Sequence, residues 1–175
     1  DRLCEGLMMS VIKNAEFVLL KGKPDYDSMA ELMWASTIAH NGILGTGRKE
    51  DWATHKFGHE LSALFGITHG ASLSIMFPAW MKYVYMKNLD LFVQFAERVF
   101  SVNPEGLKKE KIALKGIECL EKFYIKIGLP TRLSETEVDL SKIDEMAEKI
   151  VSRGSVGNLV KIEKADAIKI YRLAI

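Results

Sequence analysis

Apolar residues recur along this sequence at intervals of three and four, segment after segment, and that rhythm restricts the chain to helices. Leu3, Leu7, Val11, Ala15 and Val18 trace one face of residues 2–20. Ala113, Ile117, Leu120, Tyr124 and Ile127 trace another, and Leu140, Ile143, Ala147 and Ile150 a third. An α-helix turns every 3.6 residues, so this spacing gathers the apolar side chains on one side. No segment alternates with the period of two that marks a half-buried strand, and no strand–helix alternation suggests a βαβ unit. The expected fold is all-α, a multi-helical bundle of about seven to nine helices.

Breakers and caps divide the pattern. Gly22 and Pro24 are expected to end the first helix. Ser28 with Glu31 forms a possible capping box, with Asp25 and Asp27 as alternative caps, for a second helix over residues 29–43. The glycines of Asn41 to Gly47 read as a loop. A third helix is expected over residues 51–65, closed by Gly66. Thr68-His69-Gly70 reads as a connector to an apolar helix over residues 71–86, in which Pro78 marks a kink or a helix start. Residues 89–100 suit another helix. Gly128-Leu129-Pro130 ends the helix before it, and Ser134 with Glu137 forms a second possible capping box. Residues 152–163 have no clear period, and residues 165–174 read as the last helix. Trp34, Trp80, Phe77, Tyr83 and Tyr85 are expected in the core.

The chain has 175 residues, the length of one domain, so residues 1–175 are expected to form a single helical domain. Lys and Arg total 24 against 23 Asp and Glu, a net charge of +1, which argues against nucleic acid as a partner. The longest apolar run, Leu73 to Met86, is shorter than the roughly 20 residues a membrane span needs, and Lys82 interrupts it. A membrane partner is therefore not expected. The N-terminus lacks the pattern of a signal peptide. The two cysteines, Cys4 and Cys119, make no disulfide framework, so a cytoplasmic location is expected. The chain opens at Asp1, without Met and inside a helix, as a piece of a longer polypeptide would.

Chemistry concentrates in the histidines. His55 and His59 stand four residues apart, on one helix face, and His69 follows ten residues later beyond Gly66. Imidazole is a ligand for zinc, iron, copper and nickel, and spacing alone makes all three candidate metal ligands. Asp51, Glu50 and Glu60 lie close enough in sequence to orient an imidazole. A zincin would carry Glu directly after the first His, where this chain has Lys56, so a metal-dependent hydrolase lacks its general base. His40, late in the second helix, reads as a histidine at a helix C-terminus.

The run Asp51-Trp52-Ala53-Thr54-His55-Lys56-Phe57-Gly58-His59-Glu60-Leu61, followed by Gly66-Ile67-Thr68-His69-Gly70, resembles the iron-containing alcohol dehydrogenases, most of all their butanol dehydrogenase and aldehyde reductase branch. Leu32-Met33-Trp34-Ala35, Asn41-Gly42, Gly128-Leu129-Pro130-Thr131 and the closing Ile170-Tyr171 extend the likeness over nearly the whole chain. That family joins an N-terminal α/β domain that binds NAD(P) to a C-terminal helical domain that carries the metal, and this chain is similar to the second alone.

The resemblance implies a role for each histidine. His55 and His69 are similar to the family's third and fourth metal ligands. His59 is similar to the histidine that faces nicotinamide and substrate, a catalytic and cofactor-contacting residue rather than a ligand. The family's first two ligands, an Asp and a His four residues on, and its Gly-Gly-Gly-Ser segment fall upstream of Asp1. The implied cofactors are a divalent metal, Fe2+ ahead of Zn2+, and NAD or NADP bound mainly by the nucleotide-binding domain. The implied partners are a small alcohol or aldehyde, that domain, and further copies of the chain in a homo-oligomer such as a dimer. The expected function is hydride transfer between nicotinamide and a primary alcohol or aldehyde, with the isolated chain inactive. A non-catalytic helical interaction or assembly module is the competing expectation.

Overall fold

A computed structural model describes residues 1–20 and 25–175. Gly22 and Pro24 lie outside the described residues. Eight α-helices are present among those residues: α1 (Arg2–Leu20), α2 (Tyr26–His40), α3 (Ala53–Phe65), α4 (His69–Val84), α5 (Leu89–Phe100), α6 (Lys109–Lys126), α7 (Ile143–Val151) and α8 (Lys164–Leu173). The all-α expectation holds. The sole β feature among the described residues is an isolated antiparallel bridge between Val156 and Ile162. No helix among them is long and apolar enough to cross a membrane. The chain divides into two compact units, one of residues 1–49 and 90–127, the other of residues 50–89 and 128–175.

The first unit holds α1, α2 and α6 with nearly all of α5. Its α1 and α2 pack on each other, with Ser10 donating to Glu31 at 3.3 Å, and Ala15 and Ala35 are buried. Asp25 caps α2, its Oδ2 accepting from the Ser28 amide at 3.0 Å and the Ser28 hydroxyl at 2.8 Å. That displaces the Ser28–Glu31 capping box and starts α2 three residues early. A carboxylate directly before the helix reaches the free amides without bending the chain. The helix also ends early, at His40. Gly42, at φ 85°, turns the backbone into a short 3-10 turn over Ile43–Gly45. Glu5 is buried on α1 and is neutralised by Arg98 of α5 at 3.2 Å and Arg2 at 3.3 Å, the pairing a buried charge requires. Trp34 overturns its expected core position, since it is 63% exposed. Apolar and polar side chains alternate around α2 with no single apolar face, and only Ser28 and Ala35 are buried. Leu3 of α1, placed on the apolar face, is likewise half exposed.

The second unit holds α3, α4, α7 and α8 around Phe57, Leu61, Ile75, Met76, Met146, Ile170 and Tyr171, all fully buried. The ring of Tyr171 meets Phe57 edge to face at 5.1 Å, and its hydroxyl donates to the Phe57 carbonyl at 3.4 Å. Burial, with Glu60 nearby, pushes the Tyr171 phenol far up. Pro78 lies within α4 rather than starting a helix, and the ring replaces the amide that Ser74 would have received. The Ser74 hydroxyl donates to the Pro130 carbonyl at 2.6 Å and so fastens the segment after α6 to α4. Glu135, not Glu137, closes the turn after Pro130, its carboxylate accepting from the Thr131 and Arg132 amides at 2.7 and 3.1 Å. Tyr83 of α4 donates to Asp166 at the start of α8 at 2.6 Å.

Two outcomes follow. At Gly116 an added Cβ would stand 2.6 Å from the Ala96 Cβ and 2.8 Å from its Cα, backbone that cannot step aside. Gly116→Ala is expected to cost about 1–3 kcal/mol in chemical denaturation. Gly6→Ala, in an open stretch of α1, should instead stabilise by about 0.5–1 kcal/mol. The second outcome concerns pH. The Tyr83 hydrogen bond holds the Asp166 carboxyl below its usual range, and Tyr83 itself, chiefly through Asp166, is pushed up to about 12. A depressed carboxyl contributes stability above its ordinary titration range, lost as pH falls through the folded value. A raised phenol contributes below its ordinary value, roughly 10, and loses that as pH climbs toward the folded one. Tyr83→Phe should therefore be less stable than the parent at neutral pH. The gap should narrow below the carboxylate range and again above pH of about 10, as followed by urea denaturation across pH.

Candidate functional site

The three clustered histidines come together where α3 hands over to α4. Asp51 ends the preceding loop, its Oδ1 accepting from the Ala53 amide at 2.9 Å, and Trp52 is the N-cap of α3. One turn in stands His55, and one turn further His59. Gly66 closes α3 in the left-handed region at φ 68°, its amide donating to the Ser62 carbonyl at 3.0 Å. Thr68 then caps α4, and His69 is the first residue of that helix rather than part of a connector. A helix therefore fixes the His69 backbone.

The meeting depends on a missing side chain. Gly58 lies between the two histidines of α3 and faces Ser72 of α4, and a Cβ at Gly58 would come within 2.7 Å of the Ser72 hydroxyl. Ser72 is fully buried and donates to the His69 carbonyl at 2.8 Å. The contact that draws α4 onto α3 thus ends on the backbone of the third histidine.

The ring centres of His55 and His69 stand 5.3 Å apart, those of His59 and His69 also 5.3 Å, and those of His55 and His59 6.4 Å with planes at 82°. Two imidazoles that share an ion at about 2.0–2.1 Å place their ring centres roughly 5 Å apart. The His55–His69 pair meets that requirement, and so does the His59–His69 pair. The His55–His59 pair does not, and among the described residues no three His, Cys, Asp or Glu side chains are grouped to hold a metal ion. Three equivalent ligands, as spacing alone suggests, are not formed. The i,i+4 relation fixes where the Cβ atoms lie but leaves each ring free to turn.

His55 is half-buried, with its Nδ1 shielded from solvent, while His59 and His69 are exposed. Trp52 packs edge to face on His55 at 4.7 Å and is itself 54% exposed, giving the group an apolar wall. Of the carboxylates weighed as orienting partners, Asp51 commits both oxygens to backbone amides: Ala53 on Oδ1, Asn158 and Leu159 on Oδ2 at 2.7 and 2.8 Å. Sequence reasoning missed this loop, Gly58 and Ser72. A glycine set between two histidines on a helix was the available signal for the close approach. His40 is the exposed last residue of α2 in the first unit. Cys4 and Cys119 are free and half-buried.

Comparison with known proteins gives a consistent result. Residues 1–175 match the family described as Fe-containing alcohol dehydrogenase family, C-terminal. The chain is 35% identical over 175 residues to a probable NADH-dependent butanol dehydrogenase 1 of Bacillus subtilis, covering 100% of this chain and 45% of that protein. It is 38% identical over 155 residues to the NADPH-dependent aldehyde reductase YqhD of Escherichia coli, covering 88% of this chain and 39% of that protein. Among solved structures, NADH-dependent butanol dehydrogenase A of Thermotoga maritima superposes with a TM-score of 0.91 at 37% identity, over 99% of this chain and 45% of that one. The chain thus spans less than half the length of these relatives.

The Gly58 approach is directly testable. Gly58→Ala should destabilise the protein by about 1–3 kcal/mol, because the new methyl overlaps the Ser72 hydroxyl. Ser72→Ala removes that hydroxyl and leaves a Cβ contact of 3.6 Å, so the Gly58→Ala cost should shrink in the Ser72→Ala background. Thermal denaturation of the four proteins in the double-mutant cycle measures both.

Proposed function

Since the chain belongs to the Fe-containing alcohol dehydrogenase family, matching its C-terminal part, we propose that residues 1–175 are the helical metal-binding domain of an NAD(P)-dependent alcohol dehydrogenase or aldehyde reductase. The observation that supports this most is the gathering of three imidazoles, with the His69 ring 5.3 Å from both His55 and His59; the choice of His55 as its fellow ligand follows the likeness to the family. In this reading His55 and His69 hold a divalent cation, Fe2+ ahead of Zn2+. A two-imidazole donor set fills half of a four-coordinate shell. The remaining ligands come from the part of the relatives' length that this chain does not span, as does most of the nicotinamide site.

When bound, the cation supplies Lewis acidity toward the oxygen of a small alcohol or aldehyde, and the nicotinamide gives or takes hydride. The protein's part is to position and to move a proton. His55, pressed by Trp52, and His69, fixed by the first turn of α4, hold two imidazoles with ring centres 5.3 Å apart. His59 stays out of that pair and is open to solvent. A ring nitrogen of His59 can both accept and donate a hydrogen bond, and so can hand the proton between the substrate oxygen and water. The face of Trp52 gives a short alkyl chain an apolar surface to lie on. The same reading puts the protein in the cytoplasm, which suits two unpaired cysteines. It also makes the protein a homo-oligomer, for which the exposed apolar residues of α1 and α2 offer surface.

In the complete gene product, His55→Ala and His69→Ala should each lose tightly bound metal, measured by elemental analysis after dialysis. His59→Ala should keep the metal and lose turnover by about 100-fold or more with NAD(P)H and butyraldehyde. Full metal content in both ligand variants overturns the ligand assignment. Unchanged turnover in His59→Ala overturns the proton role. A gene product that neither binds metal nor turns over aldehyde is the outcome that an assembly module without catalysis requires.

A further inference from the structure

The loop over residues 156–162 has no helical period and enters none of the chemistry above, yet it is among the most tightly built segments of the second unit. Val156 and Ile162 exchange both backbone hydrogen bonds, at 3.2 and 2.8 Å, and Ile162 is fully buried beneath them. Gly157 takes a φ of +90°, and a side chain there would run into the Val160 carbonyl. Lys161 donates to the Gly157 carbonyl at 2.7 Å and closes the loop on itself. The turn aims the amides of Asn158 and Leu159 outward at one point, and the Asp51 carboxylate occupies it, at 2.7 and 2.8 Å. The Asn158 side chain also donates to the Glu50 carbonyl. With Ala53 on its other oxygen, Asp51 accepts three backbone amides, a stronger grip than neutral acceptors provide.

Asp51 immediately precedes Trp52, the cap of α3, and Trp52 lies edge-on against His55 at 4.7 Å. Whatever fixes the Asp51 backbone therefore fixes the direction in which α3 starts and the wall against which the His55 ring rests. We infer that Asp51 is a positioning residue: clasped by the 156–162 loop, it holds Trp52 against His55 and so presets that imidazole for its partner His69. The inference rests on the proposed role of His55 as a ligand. Its first readout does not.

The test uses the complete gene product with Asp51→Asn, which leaves one acceptor oxygen and turns an NH2 group toward amides that are themselves donors. In the metal-free protein with labelled Trp and His, the Trp52 indole and the His55 ring should show a nuclear Overhauser contact, lost in Asp51→Asn while far-UV helicity is kept. Zn2+ affinity by calorimetry should fall about 10–100-fold. Gly157→Ala, which disturbs the loop and sets a methyl 3.4 Å from the Asp51 Oδ2, should act in the same direction, and the double variant should add little to either. Should Asp51→Asn fail to fold, Asn158→Ala removes only the bond to Glu50 and should give a smaller loss of the same sign. Persistence of the Trp52–His55 contact in a folded Asp51→Asn protein overturns the inference, whatever the affinity does. Loss of that contact with unchanged Zn2+ affinity overturns it too. A parent protein that binds no Zn2+ counts against the metal reading alone, and the contact measurement still decides for or against the clasp.

Discussion

The second unit depends on the closeness of α3 and α4 at one glycine. Helices with ordinary side chains at their crossing stand 8–10 Å apart, and the gap is filled by what each presents. At Gly58 there is nothing to fill it, so the buried Ser72 hydroxyl lies almost against the α3 backbone. That approach sets the distance across which His69 must reach to meet the histidines of α3. Protein interiors are close-packed, so an added methyl there must displace the Ser72 hydroxyl and crowd the Leu73 side chain. The histidine geometry is therefore a consequence of packing, and the ring distances follow from where Gly58 lets α4 rest.

Much of the fold is legible in the sequence because helices declare themselves locally. The three-and-four rhythm finds α1, α5, α6, α7 and α8 within a few residues, and Gly66 and Gly128 stop their helices in the left-handed region, as glycine after a helix suggests. Departures occur where two residues compete for one job. Asp25 outdoes Ser28 as a cap because it is already in place, and Glu135 outdoes Glu137 because the turn begins at Leu133. The start of α4 is hidden for a related reason. A His-Gly pair reads as a loop, yet it lies in the first turn, where helix amides need no partner from within and glycine costs little.

The histidine group is legible in membership and not in arrangement. Spacing places His55, His59 and His69 together, and the structure agrees. Which pairs come within ligand range depends on side-chain rotation, on Trp52 and on the seating of α4, and none of these has a local signature. The Asp51 clasp is still further from view, since its partners lie over 100 positions away, at Asn158 and Leu159. Trp34 shows the opposite failure. An aromatic among apolar neighbours promises burial, but an apolar stripe says only that some surface is to be covered, and here the described chain does not cover it.

The two compact units are interleaved along the chain. The first is interrupted by residues 50–89, and the second is interrupted by residues 90–127. No single cut releases either one whole: a nick near residue 49 severs the first unit alone, one near 127 the second alone, and one near 89 severs both. During synthesis the order is equally constrained. The helix that carries His55 and His59 leaves the ribosome long before Asn158 and Leu159 exist to grip Asp51, and contacts of such sequence separation form late and slowly. The histidine helix must therefore wait, capped only by its own loop, until the partners of Asp51, 107 and 108 positions further on, have been made.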